Sequence, residues 1–310
     1  MTRARLVAVT GATGFLGRHL VAALAADGFA VRALVRRDPT SPFWRELDPE
    51  IVLGDLNDTE ALRRLADGAE MVIHAAGLTK ARDLDGFMRV NRDGARRVAE
   101  AVGPGRLMLI SSLAAREPQL SDYAASKRAG EEAVAAVVAP ERLTIVRPPA
   151  IYGPGDLEFL PLFKAAKGLL IPLLGPPEAR LAMIHVEDAA RTISALVLRR
   201  AARTLAISDL KPEGYSWREV AEAAARAVHG RPMIWQAPDF IAGAAGAGAD
   251  FAAGLLRRPM VFSSGKTREM RHLDWTVRPF EQLQGLPEPY FDLDGGLRHT
   301  VAWATARRLF

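Results

Sequence analysis

Thr10-Gly11-Ala12-Thr13-Gly14-Phe15-Leu16-Gly17 is the stretch that decides the fold of this chain. An apolar run, residues 6–9, precedes it, and a helical pattern, residues 19–26, follows it. In the order strand, glycine turn, helix, the glycines permit a tight turn, a phosphate close to the backbone and a helix close to the strand. The N–H groups and the positive end of the helix then face the anion. This context predicts a dinucleotide site rather than a plain glycine-rich turn.

Short apolar runs rich in β-branched residues alternate with helical patterns through the first half of the chain. The predicted strands are 5–10, 30–36, 51–55, 70–75, 106–111 and 142–147. The predicted helices are 14–27, 58–67, 84–102 and 122–139. This alternation predicts an α/β fold with a Rossmann-type, doubly wound parallel sheet, in which ligands bind beyond the carboxyl ends of the strands.

The pattern changes after residue 147, where prolines punctuate a loop-rich segment. A strand and a helix return at 181–185 and 187–200, with a short strand at 204–207. The helices predicted beyond are 216–228, 239–257, 264–270 and 296–306. We therefore predict a nucleotide-binding domain and a smaller, mostly helical substrate lobe, made of residues 1–150 plus 180–207 and of residues 151–179 plus 208–310.

The composition is that of an ordinary globular protein, with 310 residues, 49% of them hydrophobic and 25% charged. The chain has no cysteine, which excludes disulfides and a thiol nucleophile. The histidines are scattered, without a His-x-x-His motif or a His/carboxylate pair, so no metal site is predicted. Ser112 with His74 or His185 does not indicate a hydrolase, because the sequence lacks a nucleophile elbow.

The net charge of +5 is spread along the chain, so no nucleic-acid partner is expected. The N-terminus enters a strand directly, which argues against a signal peptide and for a cytoplasmic location. Residues 241–256 are rich in alanine and glycine, but they are short for a membrane span and carry Asp250. We read them as a packed or surface-lying helix and predict no transmembrane segment.

Arg36 and Arg37 follow the second predicted strand, ahead of the first carboxylate, Asp38. An acidic residue here would bind the ribose hydroxyl of NAD, whereas guanidinium groups match a 2′-phosphate. NADP(H) is therefore the preferred cofactor. NAD(H) is the alternative if the two arginines are only exposed loop charges.

Further cofactor contacts are predicted where the third and fourth strands end. Asp55, beside Leu56, is placed to accept a hydrogen bond from the adenine amino group, to cap a helix, or to do both. His74-Ala75-Ala76-Gly77 ends the fourth strand, and its small residues leave room for the ribose and nicotinamide. His74 itself is interpreted as structural.

Tyr123 and Lys127 lie four residues apart, and therefore on one face of a predicted helix. An unperturbed tyrosine has a pKa of about 10, too high for a base at neutral pH, and the neighbouring ammonium is expected to lower that pKa. Tyr123 can then exchange a proton with a substrate oxygen, and Lys127 can also hold the nicotinamide ribose. Ser111 and Ser112 end the fifth strand, where a hydroxyl can hold the substrate oxygen.

Seven segments, in order over about residues 5–200, make the chain similar to the extended short-chain dehydrogenase/reductase superfamily. They are Thr10 to Gly17, His74 to Gly77, Val90-Asn91, Ile110-Ser111-Ser112, Tyr123-x-x-x-Lys127, Arg147-Pro148-Pro149-Ala150-Ile151-Tyr152-Gly153-Pro154-Gly155-Asp156 and Ile184-His185-Val186-Glu187-Asp188-Ala189-Ala190. The resemblance implies a catalytic triad of Ser112, Tyr123 and Lys127, with Ser112 preferred over Ser111. It also implies that Asn91 supports the active-site helix.

The resemblance and the motifs together define the predicted contacts. The segment 147–156 is expected to border the cofactor and lead into the substrate lobe. The predicted cofactor contacts are Gly11, Thr13, Gly14, Phe15, Leu16, Gly17, Arg36, Arg37, Asp55, Leu56, Ala75, Ala76, Gly77, Asn91, Lys127, Pro148 and Ile151. The predicted substrate contacts are Thr79, Ser112, Tyr123 and Arg180. A homodimer formed through the helix near 84–102 and the active-site helix is an expectation from the superfamily alone.

Three features resemble particular branches. The arginine after the second strand resembles NADP-using dihydroflavonol-reductase-like members. The tail, Phe262-Ser-Ser-Gly-Lys266 with His272-Leu-Asp-Trp275, resembles hydroxysteroid-dehydrogenase-like members. The eleven-residue spacing from Ser112 to Tyr123 is shorter than in sugar-nucleotide enzymes. It resembles a branch close to the nucleotide-binding accessory subunit of respiratory complex I, some members of which hold NADPH without obvious turnover.

Three functions follow from these observations. The leading one is an NADP(H)-dependent oxidoreductase that interconverts a carbonyl and a secondary alcohol on a small, apolar substrate. It is favoured by apolar residues of the second lobe, which are otherwise ordinary core: Phe159, Leu160, Leu162, Phe163, Leu169, Leu170, Ile171, Leu173 and Leu174. The second is a sugar-nucleotide epimerase or dehydratase with retained NAD(H), in which Arg180 would grip the diphosphate. The third is a non-catalytic NADPH-binding protein that serves assembly, redox sensing or membrane-associated lipid metabolism without fast turnover.

Overall fold

A computed structural model describes residues 5–37, 46–199, 201–238 and 264–310. The strands of its main sheet are β1 (Leu6–Thr10), β2 (Ala30–Val35), β3 (Glu50–Leu53), β4 (Met71–His74), β5 (Arg106–Ile110), β6 (Leu143–Arg147) and, later in the chain, β11 (Thr204–Ala206). The remaining strands are β7 (Ala150–Tyr152), β8 (Leu170–Leu173), β9 (Arg180–Leu181), β10 (Met183–His185), β12 (Met233–Gln236) and β13 (Asp274–Trp275).

The helices complete the α/β pattern. They are α1 (Phe15–Ala26), α2 (Thr59–Ala66), α3 (Leu84–Phe87), α4 (Ala95–Val102), α5 (Asp122–Ala135), α6 (Leu160–Lys167), α7 (Val186–Arg199), α8 (Trp217–Ala227), α9 (Ser264–Arg271) and α10 (Leu293–Ala306). A π-helical segment, Met88–Gly94, joins α3 to α4. Short 3₁₀ helices cover Leu113–Arg116, Pro140–Arg142 and Pro279–Glu281.

Seven parallel strands form the main sheet in the order β11-β6-β5-β4-β1-β2-β3. Helices α1 and α7 pack on one face, through residues such as Leu20 and Ile193. Helices α2, α4 and α5 pack on the other, through residues such as Leu62 and Val98. Because both faces are covered, the central strands β1, β4 and β5 are buried along nearly their whole length rather than at alternate residues. The predicted Rossmann-type fold is confirmed. The strand order reverses between β1 and β4, which is where such sheets bind their ligands.

The helix predicted over residues 84–102 is the one element of the first half that differs in kind. The π-helical segment Met88–Gly94 interrupts it. The other predicted strands and helices of that half are present, with small shifts at their ends. A wider helical turn of this sort is often found at functional sites.

Residues 148–179 are more regular than the prediction of a loop-rich segment, which is wrong here. They contain β7, α6 and β8. Pro161 lies in the first turn of α6, where its missing N–H costs no hydrogen bond. Pro172 lies in β8, which among the described residues pairs with β12 on one edge, and proline is tolerated at a strand edge. Strand β12 is likewise absent from the prediction.

The second lobe has its own core, in which Phe163 of α6, Ala224 of α8 and Leu297 of α10 are buried together. Its short strands pair in parallel as β7 with β10, β8 with β12, and β9 with β13. The division of the chain into two domains at the predicted boundaries stays a prediction. The helix predicted at 239–257, Asp38 and Phe262 lie outside the described residues. Within the described ranges, no helix combines the length and the apolar character that crossing a membrane requires.

Candidate active site

The glycine loop between β1 and α1 forms a cradle at the carboxyl edge of the sheet. Gly11 has a φ of +73°, and a Cβ there would lie 2.5 Å from the backbone nitrogen of Ala76. A Cβ on Gly17 would collide with the carbonyl oxygen of Gly11, so only glycine lets the helix come this close. Gly14 is the N-cap of α1, and no side chain caps the first turn. This uncapped helix end fits a phosphate group.

The loop after β4 forms the facing wall of the cradle. Thr10 and His74, at the ends of neighbouring strands, are joined by a hydrogen bond of 2.7 Å between Thr10 Oγ1 and His74 Nδ1. The backbone N–H of Ala76 donates to Thr10 Oγ1 at 3.3 Å. Burial lowers the pKa of His74 to about 3, with a further contribution from Lys127, so the ring is neutral at pH 7. His74 therefore ties the two loops together, as expected of a structural residue.

Asn91 joins the β4 loop to helix α5. The N–H of Leu78 donates to Asn91 Oδ1 at 2.8 Å, and Asn91 Nδ2 donates to Leu78 O at 3.0 Å and to Ser126 Oγ at 2.9 Å. A Cβ on Gly130 of α5 would collide with the carbonyl oxygen of Asn91, so the two elements touch at their backbones. This geometry matches the supporting role that the resemblance implies. A direct contact of Asn91 with the cofactor stays a prediction.

Ser112, Tyr123 and Lys127 come together at the same edge of the sheet. Lys127 Nζ donates to the carbonyl oxygen of Ile110 at 3.0 Å. A Cβ on Gly77 would lie 3.4 Å from Lys127 Nζ, which places this ammonium between the ends of β4 and β5. The Ser112 hydroxyl accepts from the N–H of Ala114 at 3.2 Å and also interacts with the Tyr123 phenol.

The pKa of Tyr123 moves against the expectation from sequence. The pKa of Tyr123 is raised to about 12, chiefly by burial and to a smaller extent by the charge of Glu269. The hydrogen bond with Ser112 lowers this pKa but does not offset the effect of burial. Burial also lowers the pKa of Lys127 to about 8, although Glu131 acts in the opposite direction. The expected lowering of the tyrosine pKa by Lys127 is therefore wrong for the protein alone, because burial disfavours both charged forms. Tyr123 keeps its proton at neutral pH.

Ser111 belongs to a buried network behind Lys127. Its hydroxyl donates to Glu131 Oε1 at 2.5 Å. Arg147 Nε donates to Glu131 Oε1 at 2.8 Å, and Arg147 Nη2 donates to Glu131 Oε2 at 2.5 Å. Ser111 thus serves a carboxylate, not backbone groups, and Ser112 is the serine that faces Tyr123. Sequence analysis missed Glu131, although its position four residues after Lys127 puts both on one helical face.

Glu269 is a second buried carboxylate that sequence analysis missed. Ser121 caps α5 by accepting from the N–H of Ala124 at 3.0 Å, and its hydroxyl donates to Glu269 Oε1. Lys266 Nζ lies 3.2 Å from Glu269 Oε2. Because 148 residues separate Ser121 from Glu269, no local pattern could have revealed this pair.

The predicted adenosine contacts lie on exposed loops. Arg36 and Arg37 are exposed directly beyond β2, which pairs with β1. Asp55 is also exposed, and its Oδ1 accepts from the N–H of Asn57 at 2.7 Å. The helix cap that was the alternative role for Asp55 belongs to Asp58, whose Oδ1 accepts from the N–H of Ala61 at 2.9 Å. The contacts of Arg36, Arg37 and Asp55 with a nucleotide stay predictions.

Leu56, Pro148 and Ile151 have structural partners of their own. A Cβ on Gly94 would lie 2.8 Å from Leu56 Cδ1. The carbonyl oxygen of Pro148 accepts from the N–H of Leu113 at 2.9 Å, which draws the segment after β6 toward the Ser112 loop. Ile151 lies in β7 and is partly buried against the core beneath α1.

Arg180 and Thr79 are less informative. Arg180 Nη1 donates to the carbonyl oxygens of Pro177 and Ala179, both at 3.0 Å, so the guanidinium stabilises its own turn. This contact does not favour a role in gripping a diphosphate. Thr79 is exposed beyond the Asn91-bound loop.

Several apolar residues that favoured an apolar substrate are core residues. Phe163, Ile171 and Leu173 are buried inside the second lobe, whereas Leu169 and Leu170 are exposed. The alternative interpretation, ordinary core, therefore holds for the buried ones. They carry no argument about the substrate.

His185, Glu187 and His299 form a cluster that sequence analysis did not anticipate. One potential ligand atom from each lies within 4.8 Å of the others. His185 Nε2 and His299 Nδ1 are 3.3 Å apart, and the N–H of Glu187 lies 3.3 Å from His185 Nδ1. Both ring nitrogens of His185 thus have hydrogen-bond partners, and burial lowers its pKa to about 3. An inter-histidine hydrogen bond accounts for this geometry, and the absence of a metal role stays a prediction.

Residues 7–207 match the family described as the NAD dependent epimerase/dehydratase family. The chain belongs to this family. Membership confirms the resemblance to extended short-chain dehydrogenases/reductases and makes the chain an enzyme of the NAD(P)-dependent oxidoreductase and epimerase group. The family binds NAD(P), and the choice between NADP and NAD is a separate question.

Two proteins named as reductases are similar to this chain. The chain is 52% identical over 304 residues to ceramide reductase of Caulobacter vibrioides, covering 97% of this chain and 95% of that protein. It is 34% identical over 174 residues to 4-hydroxy-2-methyl-3-oxo-4-farnesyl-3,4-dihydroquinoline-1-oxide ketoreductase of Stigmatella aurantiaca, covering 49% and 52% of the two chains. The solved structure of MoeE5 in complex with UDP-glucose and NAD is similar with a TM-score of 0.71 at 22% identity, over 99% and 100% of the chains. At that identity the likeness concerns the fold alone.

Proposed function

We propose that this chain is an NADP(H)-dependent reductase that converts a ketone of a ceramide-type lipid into a secondary alcohol. The observation that carries the proposal is the 52% identity to ceramide reductase of Caulobacter vibrioides over nearly the full length of both proteins. A ceramide is an N-acylated long-chain amino alcohol, so the carbonyl in question would be the ketone at its secondary hydroxyl position. The substrate is then a small molecule with long apolar chains.

Tyr123 is protonated at neutral pH, as a proton donor to a carbonyl oxygen must be. A phenol with a pKa of about 12 keeps its proton at neutral pH and is ready to donate it to a carbonyl oxygen. The Ser112 hydroxyl, beside that phenol, would hold the same oxygen in place. Proton transfer leaves a phenolate, and the hydrogen bond from Ser112, which already lowers the pKa of Tyr123, would stabilise that charge. The epimerase and the non-catalytic alternatives have no comparable observation in their favour.

The cofactor fits the residues present. The Gly11–Gly17 cradle and the uncapped start of α1 would hold the pyrophosphate, and Lys127 would hold the nicotinamide ribose. Arg36 and Arg37 would face the 2′-phosphate, with Asp55 near the adenine. When bound, reduced nicotinamide supplies the hydride that the carbonyl carbon accepts.

The test is to mix cofactor-stripped protein with NADPH and a ketone of an N-acylated long-chain amino alcohol. We expect NADPH oxidation that depends on the lipid, and a product heavier by two hydrogens in mass spectrometry. The matched control is the same assay with NADH, which should be slower.

Two outcomes would contradict the proposal. If the protein retains NAD(H) that does not exchange with free cofactor, and converts a sugar nucleotide without net redox change, it is an epimerase or dehydratase. If it binds NADPH and reduces no ketone of this class, the non-catalytic alternative replaces the reductase.

A further inference from the structure

One face of the two-stranded sheet β8–β12 is apolar and exposed. Met233 pairs with Leu170 and Trp235 with Pro172, so these four side chains share one face. Met233 is 64% exposed, Leu170 40% and Trp235 39%, and Leu169, directly before β8, is 91% exposed. We call Leu169, Leu170, Pro172, Met233 and Trp235 the docking face. The alternate positions of β8 point into the core of the lobe.

A basic rim borders the docking face. Lys164 and Lys167 lie in the last turn of helix α6, shortly before β8. Arg231 lies two residues before β12 begins, and all three side chains are exposed. A Cβ on Gly230 would collide with the carbonyl oxygen of Ala166, so the chain before β12 crosses directly over the end of α6. That crossing brings Arg231 to the same end of the sheet as the two lysines. We call these three residues the basic rim.

The rim has no acidic counterpart in its own segments. Residues 160–177 and 228–238 contain no aspartate or glutamate. The positive charges beside the docking face are therefore not balanced by neighbours in sequence. Such a surface is attracted to a negatively charged partner.

We propose that the docking face and its basic rim seat the protein on an anionic lipid bilayer. Exposed Trp, Leu and Met beside Lys and Arg are the composition of surfaces that lie in the headgroup region of membranes. Basic side chains add electrostatic attraction to anionic lipids. A protein partner fits less well, because lysine is depleted in protein interfaces.

The role of the docking face rests on the proposed function, because a lipid ketone is the substrate that such a surface would reach. A ketone with long apolar chains resides in a bilayer rather than in water. An enzyme held at the headgroup level meets such a substrate without waiting for its transfer through solvent. The bound protein would turn the side of the second lobe that carries β8 and β12 toward the bilayer.

Vesicle flotation with the full chain tests the surface directly. The probes are vesicles of phosphatidylcholine alone and of phosphatidylcholine mixed with phosphatidylglycerol. We expect binding to the mixed vesicles that weakens with salt, and weaker binding to the neutral ones. The double variant Leu169→Ser/Met233→Ser should lower the partition coefficient by about tenfold or more. Lys164→Glu/Arg231→Glu should lower it by at least about fivefold for each charge on mixed vesicles only.

Matched controls separate this surface from general effects. Leu198→Ser/Phe280→Ser removes two exposed apolar side chains elsewhere, 51% and 70% exposed. Arg63→Glu/Arg96→Glu makes the same charge change on exposed helix positions. Both controls should bind vesicles like the wild type. If the wild type binds neither vesicle, or if the controls lose as much as the docking variants, the proposal is wrong. If Leu169→Ser/Met233→Ser changes the molar mass in solution and leaves vesicle binding intact, the face is an interface between copies.

A second readout keeps this proposal apart from the proposed function. Reduction of a short-chain, water-soluble N-acyl amino ketone needs no membrane, so the docking variants should reduce it at the wild-type rate. Vesicle binding without any ketone reduction would leave the surface standing and remove the reductase. Ketone reduction without vesicle binding would support the reductase and show that the docking face does not bind a bilayer.

Discussion

At the residue scale, the proposed preference for NADP(H) rests on two exposed guanidinium groups, those of Arg36 and Arg37, at the end of β2. Arg36 follows a strand that pairs in parallel with β1, so it lies at the same carboxyl edge of the sheet as the glycine loop. A charged hydrogen bond to phosphate contributes about 1.5–3 kcal/mol, which is roughly a tenfold to hundredfold change in affinity.

We therefore expect Arg36→Ala to weaken NADPH binding by about tenfold or more and to leave NADH binding within about twofold of the wild type. Titration calorimetry on cofactor-stripped protein measures both. The control is Arg63→Ala, an exposed arginine on α2. An equal loss for both nucleotides in Arg36→Ala would mean that the residue does not contact the 2′-phosphate.

Single residues also show where sequence reasoning stops. Tyr123 and Lys127 were found because helical spacing puts them on one face, and Asn91 because a family motif marks it. The sign of the tyrosine pKa shift was predicted wrongly, because it depends on burial and on Glu269 from a distant helix. Glu269 was also missed as the partner of Ser121, because side chains that are far apart in sequence leave no local pattern.

At the element scale, the candidate site depends on how closely α5 approaches the π-helical segment. Gly130 permits this approach, because a Cβ there would meet the carbonyl oxygen of Asn91. The contact in turn lets Asn91 reach Ser126 on α5 and Leu78 in the β4 loop. Elements with strong local signals were predictable here, whereas β8 and β12 were not. Each of those short strands is stabilised by a partner about sixty residues away.

Gly130→Ala tests this packing. In an ordinary helix the change would stabilise the protein by up to about 1 kcal/mol, because alanine is the better helix former. Here we expect the free energy of unfolding to fall by about 1–3 kcal/mol, because the extra methyl overpacks a backbone contact. Urea denaturation measures it, and reductase activity should fall as well. A variant more stable than the wild type would contradict the close approach of the two elements.

At the scale of the whole molecule, buried ionisable groups set the response to acid. Burial lowers the pKa of His74 to about 3 and that of His185 to about 3. The folded protein then binds fewer protons than the unfolded chain between about pH 6.5 and 3, so these two groups destabilise it as the pH falls. Asp156 and Asp209 act in the opposite direction, since burial raises the pKa of each to about 6.

The contribution of His74 can be isolated by comparing pH dependences. Between about pH 7 and 5, the wild type should lose about 2 kcal/mol more of its unfolding free energy than His74→Asn does. Urea denaturation at both pH values supplies the difference, with the exposed His229→Asn as the control. Parallel behaviour of the wild type and His74→Asn would show that His74 is not held neutral by burial.

The parts of the fold that have a local sequence pattern were predictable from sequence. Alternating apolar strands and helices, with a glycine loop at the start, lead to a doubly wound sheet whose seven strands were all anticipated. The second lobe was less predictable, because its short strands and its core form between segments far apart in the chain. Its exposed docking face became visible only once the alternation of β8 was known.

The central claim is that Tyr123 donates a proton to a ketone in an NADPH-dependent reduction. The most direct measurement is the single-turnover rate of NADPH oxidation by the ceramide-type ketone in the wild type and in Tyr123→Phe, with the NADPH affinity of both. We predict a rate about 10²–10⁴ lower in Tyr123→Phe, the usual contribution of a positioned acid, and an unchanged affinity for NADPH. A variant that reduces the ketone at the wild-type rate would contradict the claim.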